Sequence, residues 1–405
     1  SGLNYNYNLD ARTSSIYNYV NDTIVGIYES YDNGRLASTY HYNRGNLNGP
    51  RKSYRPDGSL LSESFYIEDE LYSKSYTYWQ NGKINSVIEY TDSTPLKMQT
   101  FNPDGKMEND IDHKNKSGKV TSTYFNGNEI HEYNMINGVL NGKYLVKDKS
   151  GKTIVDNNYL NGSRDGAYFR SGPTGAPFVE THYVAGKIHG FSKYYDLVGN
   201  LRLSDPYIFS ENTGIVTRYY HNKSKFSECN QFDDSQEGEM KYYNQKGETV
   251  LILGYENNAL VYFKKMDKDG KLTEKTDVKL QTANITSTYP NGKTAIAINF
   301  DRGNINGKFS IFSIEGKPEF ESNYDLGLLS GTRVEYYANG KIYKKENFQK
   351  GYFEGLQEFF KEDGKLWLTA EYKNDDMHGL CKIYNNGVLS VTKRYDSDEC
   401  IETIK

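Results

Sequence analysis

The side chains of this 405-residue chain best suited to nucleophilic, acid–base or metal chemistry are seven histidines and three cysteines. A catalytic or metal site needs several such groups at spacings that bring them to one point, and these show no such pattern. His182 and His189 stand on either side of a turn, His131 precedes Glu132, and His41 precedes Tyr42. No His-Glu-x-x-His, Gly-x-Ser-x-Gly, phosphate-cradling Gly-rich loop or paired-cysteine spacing occurs. Cys229, Cys381 and Cys400 read as small incidental residues in preference to a Cys381–Cys400 disulfide. Turns such as Asp32-Asn33-Gly34 offer one or two oxygens each, where a calcium loop needs several at alternating positions. The sequence therefore predicts no catalytic residue, no cofactor and no metal ligand.

What remains is the chemistry of aromatic rings. Tyr and Phe number 38 and 18, against 2 Trp. Aromatic residues are doubled at Tyr194-Tyr195, Tyr219-Tyr220, Tyr242-Tyr243, Tyr336-Tyr337 and Phe359-Phe360. Strand alternation sends the two rings of a pair to opposite faces, so only one of them belongs to a common core. Tyr194, Tyr220, Tyr242, Tyr337 and Phe359 are the rings left over, and they are the expected partner-binding residues, since rigid amphipathic rings suit a protein surface or a sugar.

The elements that position these rings are set by a repeated phrase, seen at Tyr336-Tyr337-Ala338-Asn339-Gly340-Lys341-Ile342. Its glycine recurs from Gly34 through Gly58 and Gly82 to Gly364 and Gly387, mostly every 22 to 24 residues, with one double step whose missing member falls at Lys223. Gly127 is one of these anchors, and Asp10 lies in the same register before the first. Asn-Gly between apolar segments predicts a hairpin with both turn residues at positive φ. A second turn follows half a period later, as in Val184-Ala185-Gly186-Lys187-Ile188-His189-Gly190. Two turns per period leave two short strands and no room for a helix.

The expected fold class is all-β: an elongated, twisted ribbon made of a single antiparallel meander of hairpins of about 24 residues each. About 32 strands at ~4.8 Å spacing give a ribbon on the order of 150 Å long. Tyr or Phe eight residues after the anchor, aromatics four before it and aliphatics two after it are expected to stack as structural ladders. Residues 1–16 read as a partial repeat or cap, 17–395 as about sixteen repeats and 396–405 as a tail, with interruptions at 91–120, 205–238 and 273–288.

The net charge of −4, with Lys and Arg dispersed among Asp and Glu, provides no basic stripe for nucleic acid. No stretch approaches the ~20 apolar residues of a membrane-spanning helix. The chain opens at Ser1-Gly2 without Met, so membrane association is expected only through an anchor outside it.

The phrase Tyr-Tyr-x-Asn-Gly-Lys-Ile, followed by the aromatic and the two glycines of Tyr183 to Gly190, resembles the MORN repeat, and within it the bacterial variant named for YwqK-type antitoxins. That resemblance implies a scaffold, dimerisation surface or membrane-proximal module. The expected function is a non-enzymatic scaffold binding other proteins in a multi-subunit bacterial assembly at the periplasm or outer-membrane surface, with the cytoplasm as the alternative location. A glycan-binding module and an antitoxin-like inhibitor are the alternative functions.

Overall fold

The computed structural model describes residues 2–7, 13–32, 34–91, 94–124, 129–148 and 150–404. Asp10, Asn33 and Gly127, which the repeat register uses, lie outside them. The described residues form three antiparallel sheets. The first has eleven strands, from Gly2–Tyr7 to Met107–Asp112; the second has seventeen, from Gly118–Tyr124 to Thr276–Asp277; the third has fourteen, from Ala283–Thr288 to Glu399–Ile404. The helical element among them is one 3-10 turn at Lys279–Gln281. The all-β hairpin meander is thus what the chain forms. Its single unbroken layer is corrected to three sheets, two of them stacked. Residues 205–238 run through the second sheet without a break.

The two turns of each repeat have exchanged the roles expected of them. At Gly340 the loop is three residues long: Tyr337 N–H donates to Lys341 O at 2.8 Å, Gly340 N–H donates to Tyr337 O at 2.8 Å, and Gly340 has φ +85°. Asn339 is absent from the positive-φ positions. Its carboxamide oxygen instead accepts Lys341 N–H at 2.9 Å, and its Nδ2 donates to Glu362 O of the next repeat at 3.2 Å. Asn81 and Asn291 make the same inter-repeat bond to Pro103 O and Ile314 O. The turn with two successive positive φ values is the second one, at Ala185-Gly186, Leu326-Gly327 and Lys350-Gly351. Lys223 takes φ +69° where the anchor glycine is missing, and its N–H donates to Tyr220 O at 3.0 Å, so the turn survives the substitution.

Because of the three-residue loop, a bulge follows each anchor and shifts the alternation of faces. Glu335 pairs with Lys344 and Tyr336 with Ile342, which leaves Tyr343 as the extra residue. Tyr336 and Ile342, expected in the core ladder, are half-buried on the outer face, where Tyr336 OH donates to Glu321 at 2.8 Å. The inner face carries the ring eight residues after the anchor, such as Phe300, Phe348 and Tyr255. It also carries the residues four and six after the anchor, such as Ile296 and Ile298.

The second and third sheets pack inner face to inner face because the chain doubles back between them. Asn244 bonds to Tyr289, Gln245 to Glu319, Arg202 to Glu335, Asp196 to Tyr343 and Pro173 to Lys393. These contacts are nested, spanning 45, 74, 133, 147 and 220 residues. The driving force lies in the shared core. Tyr242, Leu251 and Leu253 of the second sheet join Ile296, Phe309 and Ile311 of the third in one buried cluster. In a single layer those side chains would face water, and each fully buried one stabilises the stack by ~1.5–3 kcal/mol.

The first sheet needs no such cover over its middle. Its inner row reads Ser15, Ser30, Ser38, Ser53, Ser62, Thr77, Ser86, Thr100 and Asn109, each directly opposite the next. Small hydroxyls in register leave little apolar surface and bond across strands, as Thr77 does with Ser86 at 2.7 Å and Asn109 with Thr100 at 2.8 Å. The sheet touches the third one through polar groups: Arg55 with Asp376 at 3.7 Å, Asp57 with Lys373 at 3.6 Å, and Asp32 with Tyr352.

Candidate functional site

The five aromatic residues expected to bind a partner divide into two structural groups. Tyr194, Tyr242 and Phe359 project from the inner faces of the stacked sheets. Tyr242 is buried between Phe226 and Phe309, with ring centroids 5.9 and 5.3 Å away, and Phe359 is buried against Tyr343. Tyr194 is half-buried opposite Leu203. What faces Tyr242 and Phe359 is the other half of the same chain.

Tyr220 and Tyr337 occupy the turn and fasten one repeat to the next. Tyr220 OH donates to Tyr243 O at 2.8 Å and Tyr337 OH to Phe360 O at 2.8 Å. Tyr289 does the same to Phe312 O at 2.7 Å, and Trp79 Nε1 to Phe101 O at 3.1 Å. Tyr220, Tyr242 and Phe359 therefore offer no surface to a separate protein, because the fold-back and the inter-repeat staple use them first, while Tyr194 and Tyr337 keep part of theirs.

The stacking instead creates a charged cluster that the sequence reading missed. Glu335, with no exposed surface, accepts Arg202 Nη1 at 3.1 Å and Arg202 Nη2 at 2.5 Å. It also accepts the backbone N–H of His221 at 2.8 Å, and His221 Nδ1 lies 2.9 Å from the same oxygen. Burial pushes the Glu335 carboxyl up, but Arg202, the His221 bond and Lys344 together outweigh burial and hold it well below the usual carboxylate range. Glu346 sits 2.8 Å from Arg333 and 2.9 Å from Lys344; burial opposes ionisation there too, and the two cations bring it down to about 2. Burial and the nearby Arg202 lower Lys344. Burial raises Asp196, which accepts the Tyr343 hydroxyl.

Glu335 and Asp196 take donors from the opposite sheet and serve as inter-sheet clamps, whereas Glu346 is held by Arg333 and Lys344 of its own sheet. A general acid or base needs a proton it can release, and none is free here. The signal was present in the columns: Glu335 and Lys344 occupy the inner row that holds Ile311 and Phe320 nearer the fold-back. Among the described residues no group of three metal-ligating side chains comes together.

Beside the clamp, the two sheets diverge around a cleft of about 690 Å³. Phe226, Met240 and Tyr242 line it from the second sheet, and Phe309, Phe320 and Phe359 from the third. Arg218 and Ser227, directly opposite each other on adjacent strands, stand in the same inner row as Tyr242.

On the outer face of the second sheet, Phe191 (61% exposed) stands opposite Pro206, and Ile215 (57%) opposite Asn230. Ile208 and Phe232 (67%), two residues along from Pro206 and Asn230, join them on that face. At two matching positions of the third sheet the residues are polar, Lys308 opposite Asn323 with Asp325 beyond and Thr332 opposite Asn347 with Gln349 beyond, while at a third Leu356, 40% exposed, stands opposite Glu371.

No curated protein matches this chain. Among solved structures, a eukaryotic initiation factor is 12% identical with a TM-score of 0.24, over 88% of this chain and 98% of that one. A protein of unknown function from Bacteroides caccae is 12% identical with a TM-score of 0.18, over 69% of this chain and 91% of that one. A TcdB2-TccC3-Cdc42 structure is 13% identical with a TM-score of 0.16, over 99% of this chain and 23% of that one. TM-scores this low carry no argument about shape or function. The MORN repeat variant family matches residues 47–68, 329–350 and 353–374, segments that the structure builds as antiparallel hairpins. The chain is a protein that carries MORN-variant repeats in those three segments.

Proposed function

We propose that this chain is a non-enzymatic scaffold that binds other proteins within a bacterial multi-subunit assembly at the periplasm or outer-membrane surface. The observation that supports protein binding is the outer apolar patch of Phe191, Ile208, Ile215 and Phe232. Contiguous exposed side chains of this size mark interaction surfaces, and the same register in the third sheet carries polar residues at Lys308 and Thr332 and a single apolar one at Leu356. Tyr220, Tyr242 and Phe359 are buried within the fold and Tyr194 and Tyr337 half-buried, so the outer face of the second sheet is the larger apolar surface for the role expected of those five rings. A YwqK-like antitoxin would use the same face against one toxin.

The test is native purification from the source cell, with the wild-type chain compared to Phe191→Ser/Phe232→Ser. Stoichiometric proteins held by the wild type and lost from a double variant with an unchanged circular dichroism spectrum support the scaffold. Equal retention by both, or a monomer held by a polysaccharide column and by no protein, defeats it. Cell fractionation of the native protein tests the location separately.

A further inference from the structure

The cleft between the second and third sheets has features that neither the clamp nor the outer patch explains. Its volume of about 690 Å³ lies in the range of small-molecule sites, which are mostly apolar with a few convergent polar groups. Phe226 and Tyr242 of one sheet and Phe309 and Phe320 of the other pack together as its apolar floor, with ring centroids 4.8 Å apart for Phe226 and Phe320 and 5.3 Å for Tyr242 and Phe309.

Among the cations lining it one lacks a carboxylate partner, and the Asp196 carboxylate, which also lines it, makes no ion pair and accepts the Tyr343 hydroxyl. Arg202 is neutralised by Glu335, and Arg333 and Lys344 are bonded to Glu346. Arg218 lines the cleft and is exposed, and among the described residues no carboxylate comes within 4.0 Å of it. The nearest carboxylate on its own face, Asp205, already accepts Asn212 Nδ2 at 2.5 Å and the Tyr207 hydroxyl at 3.2 Å. Directly across from Arg218, Ser227 is 1% exposed and its Oγ has no hydrogen-bond partner. A buried hydroxyl without a partner is destabilising unless something else satisfies it.

We propose that this cleft binds a small organic monoanion with an apolar body. The acidic group sits on Arg218 and accepts the Ser227 hydroxyl, and the body lies along the half-buried side chains of Leu203, Met240 and Tyr324 that line the cleft. A guanidinium without a carboxylate partner supplies paired donors that match a carboxylate. The carboxylates that line the same cleft, Asp196 and Glu346, already accept the Tyr343 hydroxyl and the Arg333 and Lys344 donors.

Titration calorimetry on the full chain with octanoate and 3-phenylpropionate tests this, with octanol and octylamine as uncharged and cationic counterparts. At least one acid is expected to bind saturably with one site per chain, and octanol and octylamine at least about tenfold more weakly. Arg218→Gln is expected to weaken the acid by about tenfold or more with unchanged melting temperature, and Ser227→Ala by a few-fold with a melting temperature no lower than wild type. Arg218→Lys should retain part of the affinity, which separates loss of charge from loss of fold. Octanol binding as tightly as octanoate overturns the proposal, as does acid binding that Arg218→Gln leaves unchanged. Absence of saturable binding of both acids up to about 10 mM overturns it as well.

Discussion

Arg202 and Glu335, 133 residues apart and on different sheets, meet as a two-pronged ion pair in which the carboxylate has no exposed surface. The pair joins the two halves of the doubled chain. His221 closes the same carboxylate from a third direction and stacks on Tyr343 at 4.6 Å, which ties the ion pair to the aromatic packing around it.

Removing one partner of this pair leaves the other buried and unpaired. Glu335→Ala should therefore destabilise the chain by ~3–5 kcal/mol, read as a fall in the urea midpoint. Arg202→Met combined with Glu335→Leu should recover much of that loss, because neither charge is then stranded. A Glu335→Ala chain within about 1 kcal/mol of wild type would show that the clamp is solvated and carries no stability.

The inter-repeat staples predict a ranking. Tyr337→Phe removes one donated bond, to Phe360 O, and should cost ~1 kcal/mol. Tyr289→Phe removes the bond to Phe312 O and also the acceptor used by Asn244 Nδ2 at 2.9 Å, so it should cost more. Thermal unfolding of the two variants side by side gives the order; Tyr337→Phe as the more damaging change would contradict the staple account.

Gly190 and Gly199 separate backbone strain from steric contact. Both have φ +93°, but a Cβ on Gly190 meets nothing within 4 Å, whereas one on Gly199 lies 2.5 Å from Ala176 Cβ of the preceding repeat. Gly190→Ala should cost ~1 kcal/mol for φ alone, and Gly199→Ala distinctly more. Lys223→Gly, at the turn where a side chain already sits at φ +69°, should instead stabilise by ~0.5–1 kcal/mol. Equal losses at the two glycines would mean the repeats can slide apart at no cost.

The Glu319 carboxyl should contribute stability that falls as pH rises from about 5 to about 8, opposite in sign to the contribution of His131, whose ring is held down to about 4 by burial. Burial pushes the Glu319 carboxyl up to about 7 from 4.5, with Gln245 N–H as its donor at 2.8 Å. Between those two values the folded chain holds a proton that the unfolded chain has released, so raising the pH favours unfolding. Asp376, pushed up to about 6 by burial and then by Asp398, acts in the same direction. Glu335 and Glu346, held low, contribute stability that is lost only below the ordinary carboxylate range, so they do not offset the trend in this window. Glu319→Gln should remove a slope on the order of 1–3 kcal/mol, measured by urea titration at the two pH values. An unchanged slope in that variant would assign the titration elsewhere.

The period, the strands and the register were legible because they are local. Asn339-Gly340 marks a turn whatever surrounds it, and even Lys223 was placed correctly by counting from its neighbours. The face of each ring was not legible, because one bulged residue per repeat, Tyr343 in the case of Gly340, reverses the alternation that the doubled aromatics seemed to follow. The clamp was hidden for a different reason. Arg202, Glu335 and Lys344 are not among the residues that the sequence singles out; their row marks Glu335 and Lys344 as inner-facing, and the fold-back supplies the partner Arg202.

By itself the sequence determined a tandem array of antiparallel hairpins and the places where its turns fall, since these follow from φ preferences and short-range alternation. The tertiary structure alone decided that the array doubles back, which face became the core, and that a cleft opens between the sheets. The reason is that burial is a property of what lies opposite: Leu251 is core because Ile296 and its neighbours, brought back by the chain's reversal, join it in one cluster.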